Sequence, residues 1–227
     1  VPTHATKPYT RITALIMAHS RRFAAWVLTR VLRVRTFVSA TCVGLVFVVA
    51  AAAAPDFDHI VRLAAERYGA QGEETLRAWR SMLETGKSLS EPDKLELVNA
   101  FFNSRVAFED DQIVWHLPDY WATPLETLGR GEGDCEDYSI GKYVSLGMLG
   151  VPIERLRITY VRAELGMPGS GISQAHMVLA YYATPDAEPL VLDNLVSELR
   201  PASRRPDLRP VFGFNSQGLW VAGNRGP

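Results

Sequence analysis

The residues with the clearest chemistry lie in the run Gly131-Glu-Gly-Asp-Cys-Glu-Asp-Tyr138, which sets one thiol among acids. Only two cysteines occur in the 227 residues, and the other, Cys42, falls in an apolar stretch near the start. A single cysteine accompanied by histidine and aspartate further along the chain is a candidate nucleophile. The commoner fate of a free cysteine is to serve as a small buried hydrophobe. Asp134, Glu136 and Asp137 argue against that fate, because charged residues rarely surround a core position. Cys135 also heads a predicted helix, with Asp134 as its N-cap. There the unsatisfied N–H groups and the positive dipole end favour a thiolate. The same N–H groups could hold the oxyanion of a tetrahedral intermediate.

A thiol nucleophile needs a base, and the base needs an orienting group. His176 stands near the start of a predicted strand, Ala175-His-Met-Val-Leu-Ala-Tyr181, just after a Gly-rich stretch. Asp193 ends the next predicted strand, where it could pair with the far imidazole nitrogen and fix its tautomer. Taken alone, His176 reads as a satisfied core or surface histidine, and Asp193-Asn as the start of a turn. The case for Cys135, His176 and Asp193 rests on their joint pattern. Trp121 lies upstream in Tyr120-Trp-Ala-Thr-Pro124 and reads either as a packed aromatic or as a cleft wall whose indole N–H could meet an oxyanion.

The acids flanking Cys135 pose a problem, since like charges raise a thiol pKa. A hard divalent cation held by Asp134, Glu136 and Asp137 would neutralise them, and calcium suits an oxygen-rich loop. The alternative is that Asp134 caps the helix while Glu136 and Asp137 complement its dipole. The twelve-residue EF-hand ligand pattern is absent.

The elements that must position these groups follow from spacing. Apolar residues recur with helical period over Asp56–Tyr68, ended by Gly69, and over Glu73–Leu83, ended by Gly86. Ser90-Glu-Pro-Asp93 opens a third helix that runs to about Val106. Glu109–Pro124 is irregular and aromatic, Pro124–Leu128 is one helical turn, and Gly129–Gly133 reads as a flexible loop. Cys135–Leu149 is a helix expected to bury Tyr138, Tyr143, Val144 and Leu146 or Met148. Strands follow at Leu156–Ala163, Ala175–Tyr182 and Pro189–Asn194. A closing hairpin over Pro210–Asn215 and Leu219–Ala222 turns at Ser216-Gln-Gly218. Helices first and strands last imply an α+β fold, with N-terminal helices and a Cys-headed central helix packed on an antiparallel sheet.

Composition sets the bounds. With 24 basic and 25 acidic residues the net charge is −1, so no overall field favours nucleic acid. The length suits one catalytic domain, placed at 55–227. Residues 1–54 read as a leader: arginines cluster at 21–35, an uncharged apolar run covers 36–50, and small residues follow. That order is expected of a signal peptide, or of an inner-membrane anchor if the leader is not cleaved. In either case residues after Pro55 are expected on the periplasmic side.

Asp119-Tyr-Trp-Ala-Thr-Pro-Leu-Glu-Thr-Leu128, Gly131-Glu-Gly-Asp-Cys-Glu-Asp-Tyr138, Ala175-His-Met-Val-Leu179 and Leu192-Asp-Asn-Leu195 together resemble the bacterial transglutaminase-like cysteine proteases. The resemblance extends over roughly Phe57 to Ala222, and the run around the cysteine is its most specific part. It implies a papain-like or transglutaminase-like fold and a triad at Cys135, His176 and Asp193. It also implies calcium dependence, with Asp134 and Glu136, and less firmly Asp137, as ligands. Periplasmic members cut large repeat-containing adhesins near the adhesin N-terminus at an alanine pair, which releases the adhesin and disperses biofilm. An inner-membrane cyclic-di-GMP receptor sequesters such proteases. Two other readings stay open on the same residues: a transglutaminase or amidase acting through the same acyl-enzyme, and a non-catalytic calcium-dependent binding module.

Overall fold

The computed structural model describes residues 56–166 and 171–221. The signal-peptide and anchor readings of residues 1–54 lie outside the described residues, as does the middle of the Gly-rich stretch before His176. Among the described residues no helix is long and apolar enough to cross a membrane.

Helix α1 (Phe57–Gly86) joins the first two predicted helices into one element bent at Gly69, whose φ of 70° and ψ of −162° interrupt the helical ladder. Glycine adopts that backbone without the steric cost a Cβ would bring. Helix α2 (Glu91–Arg105) starts as its residues dictate: the Ser90 hydroxyl accepts the Asp93 N–H and Pro92 sits in the first turn. The aromatic stretch that follows is mostly irregular but contains a short helix α3 (Asp111–Val114). Helix α4 (Pro124–Arg130) opens on a capping box between Thr123 and Glu126 and closes on Gly131 in the left-handed region, φ 75°.

The stretch read as a flexible loop before Cys135 is ordered instead. Strand β1 (Ala107–Phe108) pairs in parallel with β2 (Glu132–Gly133), tying the approach to the cysteine to the end of α2. Helix α5 (Cys135–Met148) then begins. Asp134 takes its N-cap position but makes no side-chain capping bond, contrary to the sequence reading.

The second half is one antiparallel sheet. It comprises β3 (Leu156–Glu164), β4 (Ser173–Tyr181), β5 (Leu190–Leu192), β6 (Arg200–Pro201), β7 (Leu208–Phe214) and β8 (Leu219–Val221), in spatial order β6-β5-β4-β3-β7-β8. The closing hairpin forms as expected, with Phe214 opposite Leu219. Helix α5 lies between the sheet, against β4 and β3, and the helical layer formed by α1 and α2. Approach to α2 is close: a Cβ on Gly141 would stand 2.2 Å from the Phe102 ring. Trp79 donates its indole N–H to Ser145 Oγ (2.9 Å), which locks α1 to the same helix. Leu76, Leu95, Phe102, Leu128, Leu146, Leu156, Leu179 and Leu192 are wholly buried between the layers. Each such side chain contributes about 1.5–3 kcal/mol. The result is the expected α+β architecture, with α5 as the central helix.

The buried side of α5 is more polar than its sequence suggests. Tyr143 and Val144 are only half-buried, whereas Ser139, Lys142 and Ser145 are buried alongside Tyr138 and Leu146. Lys142 is 1% exposed, and its ammonium makes no hydrogen bond within the described residues. It stands 5.5 Å from the Tyr138 ring centroid, a partial compensation. Burial pushes its pKa down to about 7, with Asp193 pulling the other way. A lysine with a depressed folded pKa destabilises the fold in full below about pH 7. That cost fades as pH rises toward the unfolded value near 10.5. Lys142→Met is therefore expected to raise Tm at pH 7 by about 5–10 °C. The gain should shrink steadily between pH 7 and 10, as followed by thermal unfolding at each pH.

Candidate active site

The sheet pairs His176 with Asp193 and brings the residue after His176 to Cys135 at the head of α5. His176 lies on β4 opposite Val161 of β3 and is 2% exposed. Asp193 follows directly on β5, whose Leu192 pairs with Leu179 of β4, so the carboxylate comes alongside the histidine. The His176 ring donates its Nε2–H to Asp193 Oδ1 at 2.8 Å. That bond fixes the neutral tautomer with its lone pair on Nδ1. Cys135, at the first turn of α5, reaches the same strand: its sulfur takes a hydrogen bond from the backbone of Met177, the residue after His176.

Asp193 is held at both carboxylate oxygens and at its backbone oxygen. Oδ1 also accepts the Leu195 N–H (3.0 Å), Oδ2 accepts from Arg205 Nη2 (2.8 Å), and its backbone oxygen accepts from Asn103 Nδ2 (2.7 Å). Burial alone would raise the carboxyl pKa, but His176, the Leu195 N–H and Arg205 together outweigh it and hold the group at about 2. It is an anion throughout the neutral range.

The thiol is in the opposite condition. Burial pushes its pKa up, Glu136 adds to this by charge and by accepting the S–H at Oε2 (3.1 Å), and Asp134 adds more. Helix α5 alone does not produce a thiolate here. The acids responsible form a cluster larger than the sequence suggested. Ligand-capable atoms of Asp134, Cys135 and Glu136 lie within 4.8 Å of one another, as do those of Asp111, Asp119 and Glu136, and those of Asp111, Asp134 and Asp137. Burial, then Glu136, Asp111 and Asp137, lift the Asp134 carboxyl to about 9. Asp137 is lifted to about 7, by burial first and then by Asp111 and Glu136.

Several details fit this cluster to a hard divalent cation. Asp111 Oδ1, Asp134 Oδ1 and Asp137 Oδ2 are buried with no hydrogen-bond partner among the described residues. Their companion oxygens are fixed where bonded: Asp137 Oδ1 accepts the Ala122 N–H (2.8 Å) and Asp111 Oδ2 accepts the Tyr120 N–H. A Cβ on Gly133 would come within 2.7 Å of Asp137 Oδ2, so glycine keeps that oxygen accessible. Oxygen-only, multi-carboxylate sites select hard cations. The free oxygen of Asp134 explains why its side chain leaves the helix uncapped: it turns into the cluster.

A family model described as bacterial transglutaminase-like cysteine proteinase matches residues 70–206, which span all of these groups. The chain belongs to the bacterial transglutaminase-like cysteine proteinases. Solved structures agree with that placement. LapG of Legionella pneumophila in a calcium-bound form is 42% identical, with TM-score 0.65 over 75% of this chain and 90% of that one. The EGTA-treated form of the same protein is 43% identical, with TM-score 0.64 over 74% and 86%. No curated protein matches the sequence. The transglutaminase-like fold expected from the sequence is thus the observed one.

Within this proteinase family's frame, the residues singled out from sequence divide clearly. His176 and Asp193 are hydrogen-bonded, Cys135 meets the backbone of Met177 beside His176, and Asp134, Glu136 and Asp137 fall in overlapping acid groups. Trp121 is 45% exposed and stacks on Phe214, with ring centroids 5.8 Å apart, so it is not a core aromatic. Its indole N–H is donated to Asp119 (3.1 Å), which turns it away from an oxyanion role in this conformation. Sequence reading missed Asp111 and Asp119 in the cluster and Arg205 and Asn103 around Asp193. Asp119 opens the very segment that carries the family resemblance, a signal available beforehand; the other three have none locally.

Proposed function

We propose that the chain is a calcium-dependent cysteine endopeptidase of the periplasm that cuts a large repeat-containing surface adhesin near its N-terminus. The observation that carries this reading is the buried His176–Asp193 pair set on the strand that meets Cys135, beside a carboxylate cluster with unpaired oxygens. Cys135 Sγ attacks the scissile carbonyl carbon while His176 Nδ1 takes the thiol proton. The backbone N–H groups at the start of α5 receive the oxyanion. His176 then gives its proton to the leaving amine, and a thioester remains on Cys135. Water, deprotonated by His176, hydrolyses the thioester and restores the thiol. Asp193 holds the ring and stabilises the imidazolium at each stage.

Asp134, Glu136, Asp137, Asp111 and Asp119 are the residues that would hold calcium. A bound cation supplies positive charge that draws the Glu136 and Asp134 carboxylates and lessens their repulsion of a thiolate. LapG, similar over three quarters of this chain, is known in calcium-bound and EGTA-treated forms, which supports the choice of metal. Release of the adhesin would disperse biofilm, and an inner-membrane cyclic-di-GMP receptor would hold the protease in check. These last roles rest on the family resemblance.

The test is incubation of the full chain, with and without calcium, with repeat-containing adhesins from the same cell, followed by N-terminal sequencing of the fragments. A single cut between two alanines near the adhesin N-terminus is expected. Intact adhesins under both conditions would remove the substrate assignment. Asp193→Asn should lower kcat by about 10²–10⁴-fold with little change in KM, since the amide leaves His176 in the wrong tautomer. Steady-state kinetics on the adhesin fragment measures this.

A further inference from the structure

The triad of the proposed protease has a fourth member in this chain. We propose that Arg205 is a positioning residue that sets the rotamer of Asp193, and through it the imidazole of His176; the inference rests on the protease reading above. Arg205 is 4% exposed, an uncommon place for a guanidinium. Its Nη2 donates to Asp193 Oδ2 (2.8 Å) and to Asp207 Oδ2 (2.7 Å), and its Nε donates to Asp207 Oδ1 (3.0 Å). Asp207 therefore fixes the guanidinium plane from the far side, and the fork presents one N–H edge to the triad carboxylate.

The backbone behind this fork is equally constrained. Arg205 ends a 3₁₀ turn at Ala202–Arg204, its N–H bonds to Ala202 O (3.0 Å), and Leu208 N–H returns to its carbonyl (3.0 Å). Pro206 follows and limits the chain further. The geometry assigns work to each oxygen of Asp193. Oδ1 is fully taken by His176 and the Leu195 N–H, so Oδ2 depends on Arg205. Without that bond the carboxylate can rotate, and the ring of His176 loses its fixed partner.

Charge matters as much as direction. The ionisable groups facing Asp193 are His176 from β4, Arg205 and its partner Asp207 ahead of β7, and Lys142 from α5. Arg205 is the charged group among them that reaches Oδ2, and a charge-assisted hydrogen bond is about twice as strong as a neutral one. A guanidinium retained purely for stability has little reason to sit here, since a buried ion pair seldom outperforms apolar packing.

Arg205→Gln, Arg205→Lys and Asp207→Asn separate these effects. In the full calcium-loaded chain Cys135 is counted by iodoacetamide labelling, cleavage of an adhesin N-terminal fragment is measured per labelled site, and the proton NMR signal of the His176 Nε2–H is recorded. Arg205→Gln is expected to lower kcat about 10- to 100-fold with KM within twofold. It should also weaken or abolish the downfield proton NMR signal of the His176 Nε2–H, because the freed carboxylate no longer holds that proton in one place. Arg205→Lys keeps the charge and loses the fork, so the signal and kcat recover only in part. Asp207→Asn, at a half-exposed site that keeps an amide oxygen to accept from Arg205, should lower kcat a few-fold and carries the test if Arg205→Gln does not fold. Wild-type kcat per labelled site with an unchanged His176 signal in Arg205→Gln, or wild-type kcat in Asp207→Asn, would overturn the assignment. A wild-type chain that cleaves nothing defeats the protease reading itself, and the control arm detects that separately.

Discussion

Cys135→Ala is expected to abolish peptide-bond cleavage, a loss of about 10⁵-fold or more, while the protein stays folded. The magnitude follows from the chemistry. Removing the nucleophile of a covalent mechanism leaves only binding and oxyanion stabilisation, and members of such a unit lose nearly the whole enhancement singly. The folding expectation follows from the packing. Cys135 is half-buried at the edge of the core, and the load of the fold falls on residues such as Phe102, Leu146 and Leu179. Alanine is also a better helix former, which suits the first turn of α5. Cleavage assays with calcium present, paired with far-UV circular dichroism and Tm, check both halves. An unfolded variant would make loss of activity uninformative, so Tm within a few degrees of wild type is part of the prediction.

Removal of calcium is expected to have the next largest effect. Without the ion the thiol pKa is pushed up by burial, by Glu136 and by Asp134, and Glu136 holds the S–H directly. Activity in EGTA should fall at least 100-fold and return on adding calcium. Magnesium should restore little, because it demands a small octahedral site and gives up its waters reluctantly. Calcium at about a thousand times its Kd adds about 4 kcal/mol to stability, which corresponds to a Tm rise of roughly 10 °C. Asp111→Asn tests the ligand that sequence did not suggest. Its unpaired, buried Oδ1 belongs to the cluster, so the variant should bind calcium about 10- to 100-fold more weakly by calorimetry. Asp119→Asn should act more weakly, as that residue is exposed and shares its carboxylate with Trp121.

What was legible in advance, and what was not, follows the range of the interactions. Ser90 with Pro92, and Thr123 with Glu126, are local caps, and both helices start where their side chains dictate. The period-two alternation of Leu156, Ile158 and Tyr160 marked β3, and the turn residues at Ser216–Gly218 marked the last hairpin. Cys135 could be read at the head of a helix and Asp193 at the end of a strand, and His176 on the strand before it, because these elements follow one another along the chain. The two-residue strands β1 and β2 left no pattern, since pairing so short has no periodicity to read. Lys142 falls at a helical position that suits either solvent or core, and only the approach of β4 and α2 to α5 buries it. Asp111 and Arg205 lie far from the residues they serve along the chain, and tertiary convergence alone assigns their work. Trp121 shows the opposite limit: its position was noticed, but its exposure and its bond to Asp119 could not be inferred from composition.

The central claim is that Cys135 hydrolyses a peptide bond under the control of the carboxylate cluster beside it. Mass spectrometry of the products tests it most directly, with wild-type chain and Cys135→Ala each incubated with an adhesin N-terminal fragment in calcium and in EGTA. Two fragments whose masses together exceed the substrate by one water are expected from wild type in calcium, and none from the other three samples. Equal cleavage by Cys135→Ala would contradict it, as would an intact fragment joined to an amine with loss of ammonia.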